Sequence, residues 1–197
     1  PQGKTLLIPQ EGGWLSYHKI PQEKNIPFQE VHCVNAKIDL ADLQEKVTSH
    51  QCGALLYQNP GGYFAQQPMQ EIYQLCWKAN CRVIIDVSGS IGTPLCDGRF
   101  ADILVCSFGE WKLVEAGKGG FISWKDAELT SQMKSVELTD EVVLAKIKSE
   151  LQRLEQRIAF LHQRRAEIAR DLQSCTILHE KDPGFVLVVA FSSQEEK

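Results

Sequence analysis

Over the first 125 residues, short apolar runs bounded by turn residues alternate with stretches in which apolar side chains recur every three or four positions. The runs cover residues 5–9, 30–34, 54–58, 82–86, 103–108 and 121–124. Their length and their β-branched or otherwise apolar content predict buried strands. Between them, Leu40, Leu43 and Val47 follow Asp39, a residue suited to cap a helix start. Met69, Ile72, Tyr73, Cys76 and Trp77 keep helical spacing behind Pro68, which suits a first helical turn. The segment QEGGWLSYHKIP after the first run reads as a loop, freed by Gly12 and Gly13. Strand and helix in alternation predict an α/β domain with a mostly parallel sheet wrapped by helices.

Beyond Trp124 the character changes. A polar, mixed stretch leads to Leu144, Ile147, Leu151, Leu154, Ile158, Leu161, Ile168 and Leu172, which fall on alternating steps of three and four interrupted only by Arg165. They predict one amphipathic helix of about thirty residues whose stripe is buried, either as a link between domains or as a coiled-coil arm. Thr139 and Asp140 are its candidate caps. Residues 175–179 and 185–191, on either side of KDPG, predict a hairpin, and SSQEEK a polar tail or the first turn of a helix. The organisation expected is a core domain at 1–125, a linker with the long helix at 126–173, and the start of a small α+β domain at 174–197.

Composition narrows the function classes. The chain has 197 residues, 43% hydrophobic and 23% charged, and 21 basic against 25 acidic side chains give a net charge of −4. This is an ordinary globular balance with no basic field for nucleic acid or an anionic membrane. No apolar run approaches the roughly 20 residues that span a bilayer, and PQGKTLLIPQ lacks a signal-peptide core, so a cytoplasmic protein is expected. The seven cysteines form no CxxC pair and no His/Cys ligand spacing, which points to reduced core thiols and no metal site. None of the five scattered histidines is assigned a role.

The chemistry concentrates in CSFGEWKLVEAGKGGFIS, residues 106–123. Lys112 lies on the turn that leaves an apolar strand, and Gly117, Gly119 and Gly120 let the backbone bend before the next one. A lysine so placed suits carbonyl chemistry. Asp86 ends the strand RVIID, where open α/β sheets place their ligands, although such an aspartate also commonly caps the turn that follows.

The spacing from IIDVSGSIG to CSFGEWKLVEAGKGG resembles the large domain of fold-type I pyridoxal phosphate (PLP)-dependent enzymes, nearest the nucleotide-sugar aminotransferase branch. The resemblance covers residues 5–125 well and the remainder weakly. It implies PLP as cofactor, a Schiff base on Lys112, Asp86 paired with the pyridine nitrogen and Ser107 on the phosphate. It also implies Asn59 of QNPGG near the ring hydroxyl and Trp14 stacked on the ring, while Trp14 and Tyr17 read equally as core cover. An aminotransferase working on a small amino donor and acceptor as a homodimer is the activity implied.

Departures from that pattern are also visible. The third residue after the aspartate, polar in the branch, is Gly89, so Ser88 or Ser90 is expected to stand in. The family's glycine-rich phosphate cradle lies before the strand at 5–9, and the chain starts at Pro1, so either this is a fragment or the protein does without it. A PLP-dependent lyase, desulfurase or decarboxylase would share Asp86 and Lys112. A non-catalytic, truncated relative acting as a binding module would keep only the sheet.

Overall fold

A computed structural model describes residues 4–49, 51–132, 140–191 and 193, without the side chains of 131 and 132. Its centre is a six-stranded sheet. β1 (Thr5–Pro9), β2 (Phe28–Val31), β5 (Cys52–Gln58), β6 (Arg82–Asp86), β7 (Ile103–Ser107) and β8 (Gly120–Trp124) lie in the order β2-β1-β5-β6-β7-β8. The first five are parallel, and β8 closes one edge antiparallel to β7. This is the mostly parallel α/β sheet expected from the alternation of runs and helical patterns.

The helices follow from their apolar positions. In α2 (Leu40–Ser49), Leu43 and Val47 are buried, and Asp39 Oδ1 accepts the backbone N–H groups of Ala41 and Asp42 at 2.8 and 3.3 Å. In α3 (Met69–Lys78), Ile72 and Cys76 face inward while Trp77 is exposed. These residues join Leu7, Leu55, Tyr57, Val83 and Ile85 of the sheet in one continuous core. Parallel strands come with such cover, because the helical crossovers that join them lie on the faces of the sheet. Among the described residues, no helix is long and apolar enough to cross a membrane.

Three expectations are corrected. The loop expected after β1 contains α1 (Ser16–Glu23), with Tyr17 and Pro21 buried. Gly12 and Gly13 free the chain only before that helix, and Trp14 stands in the turn that leads into it. The run at 30–34 is split. Its first half completes β2, and Cys33–Val34 (β3) pairs antiparallel with Lys37–Ile38 (β4) through a turn at Asn35 and Ala36, both at positive φ.

The long helix is two helices, α5 (Glu141–Gln152) and α6 (Leu154–Asp171), joined at Arg153. Asp140 caps α5 through Val142 and Val143, and Thr139 lies outside the described residues. The break lets the stripe serve more than one surface. Leu154 reaches Gly92, and Ile147, Ile158 and Leu161 pack on the core, whereas Leu144, Leu151 and Ile168 are exposed. Beyond α6, β9 (Thr176–Leu178) and β10 (Val188–Ala190) form the expected hairpin. All of the polar tail except Ser193 lies outside the described residues, as does part of the stretch before α5.

One glycine sets how closely β7 and β8 approach. A Cβ added at Gly120 would stand 2.2 Å from the Cys106 carbonyl oxygen, backbone that cannot give way cheaply. Gly120→Ala is therefore expected to lower stability by about 1–3 kcal/mol, the cost of an overpacked site. Denaturant unfolding of the two proteins checks this, and an unchanged midpoint would contradict the close approach.

Candidate active site

Parallel strands all end at the same edge, and the register shows which residues meet there. Gln58 pairs with Asp86, and Asp86 with Val105, so β5, β6 and β7 present Gln58, Asp86 and Ser107 along one rim. Beyond β7 the chain makes a closed loop. Phe108 N–H donates to the Gly119 carbonyl at 2.9 Å, and Ala116 N–H to that of Phe108 at 2.9 Å. Leu113 and Val114 anchor the loop in the core, which leaves Lys112 half-buried on its inner side. Gly117 and Gly119 take positive φ of 85° and 91°, conformations that few residues other than glycine adopt.

Lys112 borders a cleft of about 440 Å³ together with Trp14, Tyr63, Ser88, Gly89 and Arg157. Its Nζ lies 4.4 Å from the Trp14 ring centroid and 5.1 Å from that of Tyr63, and it donates a hydrogen bond to the Tyr63 hydroxyl. Among the described residues it joins none of the ion pairs. The amine is thus held by two aromatic faces and the Tyr63 hydroxyl.

Asp86 is held from two sides. The Tyr17 hydroxyl donates to its Oδ2 at 2.9 Å and the Ser88 N–H to its Oδ1 at 2.9 Å. Burial, then the Asp86 carboxylate, pushes the Tyr17 phenol well above its ordinary range, so Tyr17 keeps its proton and remains a donor. Ser88 Oγ accepts the Ser107 N–H at 2.8 Å, and Ser107 Oγ accepts that of Gly109 at 3.2 Å. Ser88 therefore links the carboxylate of β6 to the end of β7. The thiol of Cys106, pushed up to about 12 first by burial and then by Asp86, remains an unreactive core group.

Of the residues singled out from sequence, Trp14, Ser88 and Lys112 border one cleft, and Asp86 and Ser107 are tied to it through Ser88. Asn59 is placed differently. It is fully buried, its Oδ1 accepts the Gln67 N–H at 3.0 Å, and its Nδ2 donates to the Leu95 carbonyl at 3.0 Å. The amide is committed to fastening the turn after β5 to the 93–95 loop. Ser90 is fully buried, its hydroxyl has no partner among the described residues, and it is not on the cleft wall.

Sequence reasoning missed Tyr63, Arg157 and the role of Tyr17. Arg157 of α6 reaches Glu115 Oε2 at 3.2 Å. The Trp111 backbone N–H, then that guanidinium, hold the Glu115 carboxyl below its usual range. Tyr63 and Trp111 have φ of +66° and +61°, a strained region for aromatic residues that costs on the order of 1–3 kcal/mol each. The only local signal was NPGG just before Tyr63; the other contacts join residues far apart in the chain.

Whether the site fits a pyridine-based cofactor can be tested on the buried polar atoms. Gln58 is almost fully buried beside Asp86, and its Nε2 has no partner among the described residues. A Cβ at Gly89, on the cleft wall, would lie 3.5 Å from it. An unused donor, an aromatic face, an amine and a carboxylate at one rim fit the donors and acceptors of PLP.

The DegT/DnrJ/EryC1/StrS aminotransferase family model matches residues 24–142, more than half of the chain. That span includes Asn59, Asp86, Ser107 and Lys112 but not Trp14, Tyr17 or Arg157. No curated protein matches by sequence. Among solved structures, a serine palmitoyltransferase from S. paucimobilis with bound PLP–myriocin aligns with a TM-score of 0.75 at 15% identity, over 98% of this chain and 55% of that one. An alanine–glyoxylate aminotransferase from Nostoc sp. aligns at 0.66 and 11%, over 98% and 61%. A NifS-like protein from Rickettsia africae aligns at 0.64 and 13%, over 90% and 54%. These likenesses establish the fold, and the chain spans little more than half the length of such structures.

Two substitutions separate the roles around Asp86. Asn59→Ala leaves the Gln67 N–H and the Leu95 carbonyl buried without a partner and is expected to cost about 1–3 kcal/mol, in the absence of any added cofactor. Tyr17→Phe removes one donor to a part-buried carboxylate and is expected to cost about 1–2 kcal/mol. Calorimetric melting measures both, and an Asn59→Ala protein as stable as the parent would free that amide for a ligand.

Proposed function

The chain belongs to the DegT/DnrJ/EryC1/StrS aminotransferase family, and from that premise we propose that it forms the PLP-binding part of an enzyme that moves an amino group, with Lys112 as the attachment residue. The observation that carries the reading is the amine of Lys112 on the cleft wall against the Trp14 ring, with Asp86 reached through Ser88 on the same wall. Bound PLP supplies an electron sink for negative charge at a substrate carbon, which works only while its ring nitrogen stays protonated. Asp86 is the group that keeps it so, and Tyr17 and Ser88 fix that carboxylate in orientation.

The remaining residues divide the work of binding and proton movement. Trp14 offers a face for the ring, and the exposed Ser107 hydroxyl stands at the strand end for the phosphate. Lys112 Nζ would be the base and acid that moves the substrate proton. Asn59 shapes the turn and makes no contact with the cofactor in this reading. Arg157 is a cation that lines the same cleft, suited to an anionic substrate group once it turns from Glu115.

A homodimer belongs to the same proposal, supported by the exposed Trp111 at the cleft and Leu15 next to Trp14. A cytoplasmic location is supported by the free thiols of all seven cysteines.

Incubation with PLP, borohydride reduction and peptide mass spectrometry test the site. A single pyridoxyl group on Lys112 is expected, absent from Lys112→Ala. Asp86→Ala should still take up the group yet lose at least about 100-fold in turnover with an amino donor, comparable to the loss of a general acid–base contribution. Labelling scattered over surface lysines would overturn the assignment of Lys112.

A further inference from the structure

We propose that Tyr63 is the positioning residue for Lys112, an inference that rests on Lys112 being the attachment residue. The hydroxyl of Tyr63 is the polar side-chain partner of the amine, and its ring gives the amine a second aromatic face. A carboxylate in that place would favour the protonated amine, which cannot attack a carbonyl. A phenol holds the nitrogen by a hydrogen bond that brings no opposite charge, so the amine is kept in place without an ion pair.

The phenol can do this because the structure fixes it from several directions. The turn after β5 puts Tyr63 at φ +66°, with its N–H donating to the Pro60 carbonyl at 3.1 Å. Its own carbonyl accepts the N–H groups of Phe185 and Val186 at 3.0 and 3.3 Å. A Cβ at Gly184 would stand 2.5 Å from that same carbonyl oxygen, so the C-terminal segment lies flat against the turn. The ring rests on Gly89, where a Cβ would come within 2.6 Å of its Cδ1. The missing side chain at Gly89 is thus the space that Tyr63 occupies. The departure at this position and the hold on Lys112 are one arrangement, made by residues from three separate parts of the chain.

Two probes on the cofactor-free chain distinguish positioning from packing. Trace acetylation with acetic anhydride reports how freely Lys112 moves and reacts, with exposed Lys78 as the internal reference. Capture of PLP by borohydride reduction reports whether the amine is aimed at a bound ring. Tyr63→Phe keeps the ring and removes the hydroxyl. It is expected to raise relative acetylation of Lys112 about fivefold and to lower pyridoxyl capture there by a similar factor, the size of one ordinary hydrogen bond. Gly89→Ala, which pushes the ring from the opposite side, should shift both in the same directions. The double variant should add little to Tyr63→Phe alone.

Unchanged acetylation in Tyr63→Phe, with an unchanged melting temperature, would overturn the proposal. So would the two readouts moving in the same direction, since that reports altered basicity or access and not position. If the parent chain captured no PLP on Lys112, the functional reading would fall, and acetylation would still decide by itself whether Tyr63 holds the amine.

Discussion

Parallel pairing of β5, β6 and β7 is the constraint on which the rest of the site depends. Backbone hydrogen bonds between parallel strands fix the register, and the deeper burial of one face prevents slippage, because a shift by one residue would turn Leu55, Val83 and Ile85 to the less buried face. With that register held, Gln58 and Asp86 stop opposite one another and Ser107 follows on the next strand. The carboxylate, the serine pair and the lysine loop come together because the core holds the strands, and only the side chains past their ends are free for chemistry.

Around that rim, hydrogen bonds do the work that packing cannot. Ser88 spans from the Asp86 carboxylate to the Ser107 N–H, so two adjacent strands share one short network. Tyr17 adds a donor from α1, an element far from β6 along the chain. Asn59 binds the turn after β5 to the loop after β6. Each bond lies where a buried polar group without a partner would be expensive, which is why the arrangement is specific and not merely compact.

The C-terminal part contributes to the site as well as to the fold. Glu115 of the lysine loop meets Arg157 of α6, and Phe185 and Val186 close on the turn that carries Tyr63. Hence the cleft has two walls, one from the sheet and one from the segment that follows it. Lys112 is on the cleft wall, with its amine set against the rings of Trp14 and Tyr63.

The run RVIID, the helical spacing of Ile72 and Cys76 and the glycines after Lys112 determined most of the sheet and the loop by themselves. Those signals are local, because strand burial and backbone freedom depend on residues a few positions apart. The places of Asp86 at the end of β6 and of Lys112 on the turn after β7 were legible for the same reason, each marked by a strand end and a turn. The break at Arg153, the helix within QEGGWLSYHKIP and the commitment of Asn59 to Gln67 and Leu95 were not. A heptad stripe says that a face is buried but not how many surfaces share it, and an amide in a turn carries no mark of its distant partners. Tyr63 is the clearest case. Only the tertiary structure could bring its hydroxyl to Lys112, because that contact requires the turn after β5, the space at Gly89 and the chain at 184–186 to meet at one point.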